Sequence, residues 1–201
     1  MKRFYLLVFF MSIGHFLHSQ VSLQEHNISG YRGFFDLGYT VGTGETNNIG
    51  RFELSTSHGF LINPYLFVGA GIGVHCYINA NGNMLQLAEK KCLPVIPFFI
   101  DVHGNLSKGS IIPFIGLKIG YSCALMNEKG EIGNGFSKMG IYVAPSVGVS
   151  FEINSQTRLN LSCGYSAQNV TLDHSIQNEK YIKEDNLVNL AGFFVKTGLE
   201  F

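Results

Sequence analysis

The stretch Tyr65–Ile78, YLFVGAGIGVHCYI, places glycine at positions 69, 71 and 73. Whether those glycines form a phosphate-binding turn decides the fold. A dinucleotide fingerprint needs G-x-G-x-x-G at a strand-to-helix turn, with an acidic residue about 20 positions further on. Here the spacing is G-x-G-x-G and no helical period follows. Leu66, Val68, Ala70, Ile72, Val74, Cys76 and Ile78 fall on one side of an extended chain. Tyr65, Phe67, Gly69, Gly71, Gly73, His75 and Tyr77 fall on the other. A period of two makes this a strand with an apolar face and a glycine-bearing face, not a cradle for phosphate.

The same alternation recurs around 31–42, 50–62, 95–106, 111–123, 138–152, 157–167 and 188–201, which with 65–78 predicts eight strands. Most approach the roughly 9–11 residues that cross a bilayer at a tilt. The connections alternate in length as well. NP (63–64), SKGS (107–110) and NSQ (154–156) are tight turns, whereas 42–50, 79–94, 124–136 and 167–187 are long and polar. This pattern predicts an all-β fold, an eight-stranded antiparallel up-and-down transmembrane β-barrel, with short periplasmic turns and long external loops. An even strand number brings both ends of the barrel to the short-turn side.

The chain starts MKRFYLLVFFMSIGHFLHSQ: Lys2 and Arg3, an apolar run from Phe4 to about Leu17, then small Ser19. That is the layout of a secretory signal peptide over residues 1–20. The run is shorter than the roughly 20 residues of a spanning helix, and no cysteine near the cut supports a lipid anchor. Residues 21–201, about 180 of the 201, are expected to form a single barrel domain. They contain no apolar stretch of about 18 residues, which excludes a helical membrane protein. Fourteen acidic residues balance fourteen basic ones, so no net field attracts nucleic acid.

Charge placement separates a membrane barrel from a soluble one. Ionised strand residues fall on the glycine-bearing face: Arg32, Asp36, Arg51, Glu53, Asp101, Lys118, Lys138, Glu152, Arg158, Lys196 and Glu200. The opposite face is almost free of charge, as lipid requires. Running the strands alternately up and down puts Asp36, Asp101, Lys118 and Lys196 near mid-height. Arg32, Glu152, Arg158 and Glu200 gather near the periplasmic end. Buried charges persist when paired and hydrogen-bonded, so the expectation is a filled, salt-bridged lumen.

The leader, the alternating strands and the ending NLAGFFVKTGLEF resemble the small outer-membrane β-barrel family of OmpA-type and OmpX-type proteins, including porin-like barrels of the Bacteroidetes. The resemblance covers essentially the whole mature chain. It implies insertion into outer-membrane lipid and a Gram-negative source. It also implies a C-terminal signal, here Phe193, Leu199 and Phe201, read by the outer-membrane assembly machinery.

The remaining chemistry is sparse. An even count of cysteines in an exported chain permits disulfides, and a bridge between Cys76 and Cys92 would close an external loop. Cys123 and Cys163 point to lipid and read as free thiols filling small apolar positions. His75 and His103 share the inner face of neighbouring strands, but antiparallel register puts His75 opposite Ile96 or Pro97 and His103 beside Phe67. A metal pair is not expected, and no cofactor is. His58 on the lipid face and the loop run Asp173–Ser175 match no catalytic arrangement, because contiguous Asp-His-Ser cannot form a triad by adjacency. The sequence therefore predicts a non-enzymatic barrel with a structural or surface-interaction role through its long loops. A small-solute porin and a lipid-modifying enzyme are the alternatives. Nothing in the loops names a ligand.

Overall fold

The computed structural model describes residues 30–43, 49–79, 93–126, 135–136, 140–172, 175–177, 180–182 and 186–201. The predicted signal peptide lies outside them. Eight long strands follow in chain order: β1 (Gly30–Gly42), β2 (Ile49–Asn63), β3 (Leu66–Asn79), β4 (Leu93–Asn105), β5 (Ile111–Met126), β6 (Gly140–Asn154), β7 (Thr157–Leu172) and β8 (Asn186–Glu200). Each pairs antiparallel with its chain neighbours, and β1 pairs with β8, so the sheet closes on itself with no free edge. Short strands sit on the long connections. Gly135–Phe136 pairs with the end of β5, and Ser175–Gln177 with Lys180–Ile182.

The alternation in sequence becomes the two faces of the wall. On β3, Phe67, Gly73, His75 and Tyr77 are buried while Ile72, Val74 and Ile78 stand exposed. On β1 and β2, Phe35, Leu37, Tyr39, Phe52, Leu54 and Phe60 are exposed and Arg51, Glu53 and Ser57 are buried. Apolar outside and ionic inside is the reverse of a water-soluble barrel, and it is stable only with hydrocarbon around it.

Local chemistry makes the short turns. Asn63 Oδ1 accepts from Tyr65 N–H at 2.8 Å, and Asn154 Oδ1 accepts from Gln156 and Thr157 N–H at 2.9 and 2.8 Å. These are Asx turns, in which the side chain takes the place of a backbone acceptor. Gly109, with φ at +122°, supplies the left-handed conformation that the turn between β4 and β5 needs.

Proline interrupts the ladder within the wall. β3 and β4 pair from Leu66↔Gly104 to Ile72↔Phe98 and resume in the same register at His75↔Val95, with Pro97 in the gap. β6 and β7 break likewise beside Pro145, between Val143↔Ala167 and Ser146↔Gly164. Proline has no N–H to give to a neighbouring strand, so the ladder loses its rung there while the register holds.

Candidate functional site

Among the described residues, charged and hydrogen-bonding side chains gather in the lumen. Toward the long-connection end, Arg51 and Glu53 lie on β2, each only 2% exposed. Arg51 uses its whole donor set. Nε donates to Glu53 Oε1 at 2.5 Å, and Nη1 to Tyr77 Oη at 2.6 Å and Gln168 Oε1 at 3.2 Å. Nη2 donates to Thr40 Oγ1 at 3.2 Å and to Ser166 Oγ. A guanidinium carries five N–H donors, and five acceptors from β1, β2, β3 and β7 meet them here.

Glu53 is the counter-hub. It ion-pairs with Arg51, accepts from Thr40 Oγ1, sits 2.7 Å from Lys196 Nζ and has His75 Nε2 at 3.6 Å. Tyr77 Oη passes its proton side to Gln168 Oε1 at 2.6 Å, and His75 Nδ1 lies 3.0 Å from the same oxygen.

A second ionic group lies nearer the short-turn end. Lys118 Nζ donates to Asp36 Oδ2 at 2.6 Å and lies 3.7 Å from Asp101 Oδ2. Asp101 accepts from Ser57 Oγ at 2.6 Å and has His103 Nε2 at 2.8 Å. Aromatic packing fills what the ions leave. Phe99, Tyr142, Ala144 and Phe194 form one buried cluster, with Lys196 Nζ 4.2 Å above the Phe194 ring. Beneath the second group, His103 stacks on Phe114 at 5.3 Å and packs against Phe34 and Phe67. A cavity lined by residues of both ionic groups, Asp36, Lys118 and Lys196, holds about 20 Å³. That suffices for about one water molecule, not for a hydrated solute in transit.

At the short-turn mouth the lumen widens to a basin of about 500 Å³. Arg32 Nε stands 3.7 Å from Glu200 Oε1, and Arg158 Nη1 stands 3.7 Å from Glu152 Oε2. Arg158 is also tied to Ser150 Oγ at 2.9 Å and to the Gly109 carbonyl at 2.8 Å.

Of the charged residues that sequence places at mid-height, Asp36, Asp101 and Lys118 are brought together, and Lys196 is not among them. Its partner is Glu53. The reason is register: Asp36 lies opposite Gly198, whereas Lys196 lies opposite Gly38, which in turn lies opposite Glu53. A Cβ at Gly38 would overlap Cγ of Lys196, so glycine there lets the lysine cross β1. Arg32, Glu152, Arg158 and Glu200 do meet at the short-turn end. Sequence reasoning noted Arg51 and Glu53 as inward charges and missed them as the hub, along with Gln168. Inward parity next to a long connection was the available signal. Lys138 lies outside the described residues.

His75 faces Val95, beside the expected position, and belongs to the Glu53 group, while His103 belongs to the Asp101 group. Among the described residues, no set of three or more His, Cys, Asp or Glu side chains could hold a metal ion. His58 is on the lipid face with both ring nitrogens occupied. Tyr31 Oη lies 2.5 Å from Nδ1 and Thr56 Oγ1 lies 3.0 Å from Nε2, while Thr56 itself donates to the Phe34 carbonyl at 3.0 Å. That chain ends on backbone inside the wall. Of the loop run Asp173–Ser175, Asp173 and His174 lie outside the described residues.

Cys76 is disulfide-bonded, and Cys92 lies outside the described residues. Cys163 is free and exposed on the lipid face, whereas Cys123, expected to face lipid, is free but buried, its Sγ 3.8 Å from the Ile96 carbonyl. Phe193 and Leu199 are exposed on the outer wall. Phe201 continues the β8–β1 ladder, exchanging backbone hydrogen bonds with Gly33 at 2.8 and 2.9 Å.

No protein-family model matches the chain, and no curated protein matches it in sequence. Solved structures do. The crystal structure of Neisserial surface protein A superposes with a TM-score of 0.59 at 13% identity, covering 86% of this chain and 97% of that one. The outer membrane protein OprG from Pseudomonas aeruginosa aligns at 0.47 and 10% identity, covering 89% and 98%. Outer membrane protein W of E. coli aligns at 0.44 and 17%, covering 88% and 100%. The fold of this chain is the outer-membrane β-barrel.

Proposed function

We propose that this outer-membrane barrel is neither an enzyme nor an open pore, and that it stabilises the envelope while presenting its long connections for surface contact. One observation carries this reading: the lumen is occupied by paired ions, above all Arg51 with Glu53 and Glu53 with Lys196, packed against aromatic rings. Among the described residues such a filling pairs the ions of the closed lumen with one another and leaves between them a cavity of only about 20 Å³. Its partners are outer-membrane lipid along the apolar wall, a surface ligand at the long connections, and the assembly machinery at Phe193, Leu199 and Phe201, of which Phe193 and Leu199 stand on the outside of the last strand.

Planar-bilayer recording tests it. The refolded protein is expected to give no steady conductance above the bare membrane. Steady, large channels would favour the porin reading. A change in lipid A mass spectra between cells with and without the protein would favour a lipid-modifying activity.

A further inference from the structure

The ion pairs of this barrel fall into two kinds. In the closed lumen each carboxylate has a tight partner, Lys118 to Asp36 at 2.6 Å, Lys196 to Glu53 at 2.7 Å and His103 to Asp101 at 2.8 Å, with looser contacts of 3.6 and 3.7 Å from His75 to Glu53 and Lys118 to Asp101 beside them. At the short-turn mouth both pairs stand at 3.7 Å, beyond hydrogen-bond reach. Arg32 Nε has no hydrogen-bond acceptor at all. These slack pairs line a basin of about 500 Å³.

The charged groups facing the basin are Arg32, Lys108, Arg158, Glu152 and Glu200, three cations against two carboxylates. Lys108 rides on the turn between β4 and β5, and its Nζ lies 5.0 Å over the Tyr65 ring. Two guanidiniums, one with an idle Nε donor, and an ammonium lining one basin present more donor capacity than its two carboxylates take up. The ligand such a set takes is an oxyanion, because planar guanidinium forks and ammonium groups match carboxylate and phosphate oxygens.

We propose that the short-turn mouth is a binding site for a carboxylate- or phosphate-bearing ligand reaching it from the periplasm, held by Arg32 and Lys108 with Arg158 as the second guanidinium. The ligand oxygens meet the Arg32 and Arg158 guanidiniums and the Lys108 ammonium from the basin that all three line. Glu152 opposes binding by adding negative charge at the rim.

The test uses the full folded barrel, ¹⁵N-labelled, in detergent micelles. Sodium phosphate and sodium acetate are titrated separately, with sodium chloride at matched ionic strength as the control, and the Nε–H resonances of Arg32 and Arg158 are followed. A saturable shift with phosphate, with acetate or with both is expected, and which salt saturates identifies the oxyanion. In Arg32→Gln, read at Arg158, and in Lys108→Gln, read at both arginines, half-saturation should move to about tenfold higher concentration. In Glu152→Gln it should move to lower concentration. Lys108 is an exposed turn residue, so its variant stays informative if Arg32→Gln folds poorly. Shifts that never saturate, that sodium chloride reproduces, or that Lys108→Gln leaves unchanged would overturn the proposal.

Discussion

Gly71 shows what single residues contribute to a narrow barrel. A Cβ at this position would stand 2.6 Å from Phe99 Cζ and 2.6 Å from the Thr56 carbonyl, and one at Gly69 would stand 2.6 Å from Phe67 Cζ. Real carbon atoms do not approach so closely, so the missing side chains are room for the rings of Phe99 and Phe67. Gly71→Leu should therefore lower the stability of the refolded barrel by at least the 1–3 kcal/mol typical of overpacking, roughly speaking. The measurement is guanidinium unfolding in detergent, alongside the heat-dependent migration of the folded form on SDS gels. Wild-type stability in that variant would mean the glycines do not face the packed lumen. The space a glycine frees is not written in its own neighbourhood of sequence. Parity places Gly71 inward, but Phe99 lies opposite it through the β3–β4 register.

At the scale of the strand, the wall makes a prediction that depends on depth. On β2, Leu54 and Ile62 both face outward, Leu54 toward the middle of the strand and Ile62 at its short-turn end. An arginine in mid-bilayer costs about 2–4 kcal/mol and near the interface about 0–1 kcal/mol. Leu54→Arg should thus destabilise the barrel refolded in lipid vesicles by a few kcal/mol more than Ile62→Arg does, as read from paired unfolding curves. Equal costs would remove the bilayer from around this wall. The strands themselves were legible because a period of two is a local property and because Asn63 and Asn154 carry their own turn chemistry. Strand ends near the long connections were less legible: β7 runs on to Leu172 past the expected end at 167. The partner of Lys196 was not legible either. Charges sorted by height along separate strands ignore the stagger that closure imposes from one strand to the next, and that stagger moves Lys196 from Asp36 to Glu53.

For the whole molecule, the question is what the ions in the lumen contribute. The outside of the barrel meets lipid wherever it turns, so no inner side chain is needed to cover it, and the sheet closes through backbone pairing alone. Inner residues instead have to fill a narrow space without leaving a charge bare. Glu53 answers two cations, Arg51 and Lys196, while Lys196 also lies over the Phe194 ring. Removing one member of a buried pair leaves the other uncompensated and costs about 3–5 kcal/mol. Glu53→Gln should show that loss. Lys196→Gln should cost less, because Glu53 keeps Arg51, Thr40 and His75 around it. The double variant should be more stable than the sum of the two losses predicts, by roughly 0.5–3 kcal/mol, since the second substitution removes a charge the first has orphaned. Strict additivity in unfolding free energies would mean that Lys196 and Glu53 do not act as a pair, and that the lumen is held closed by volume rather than by charge.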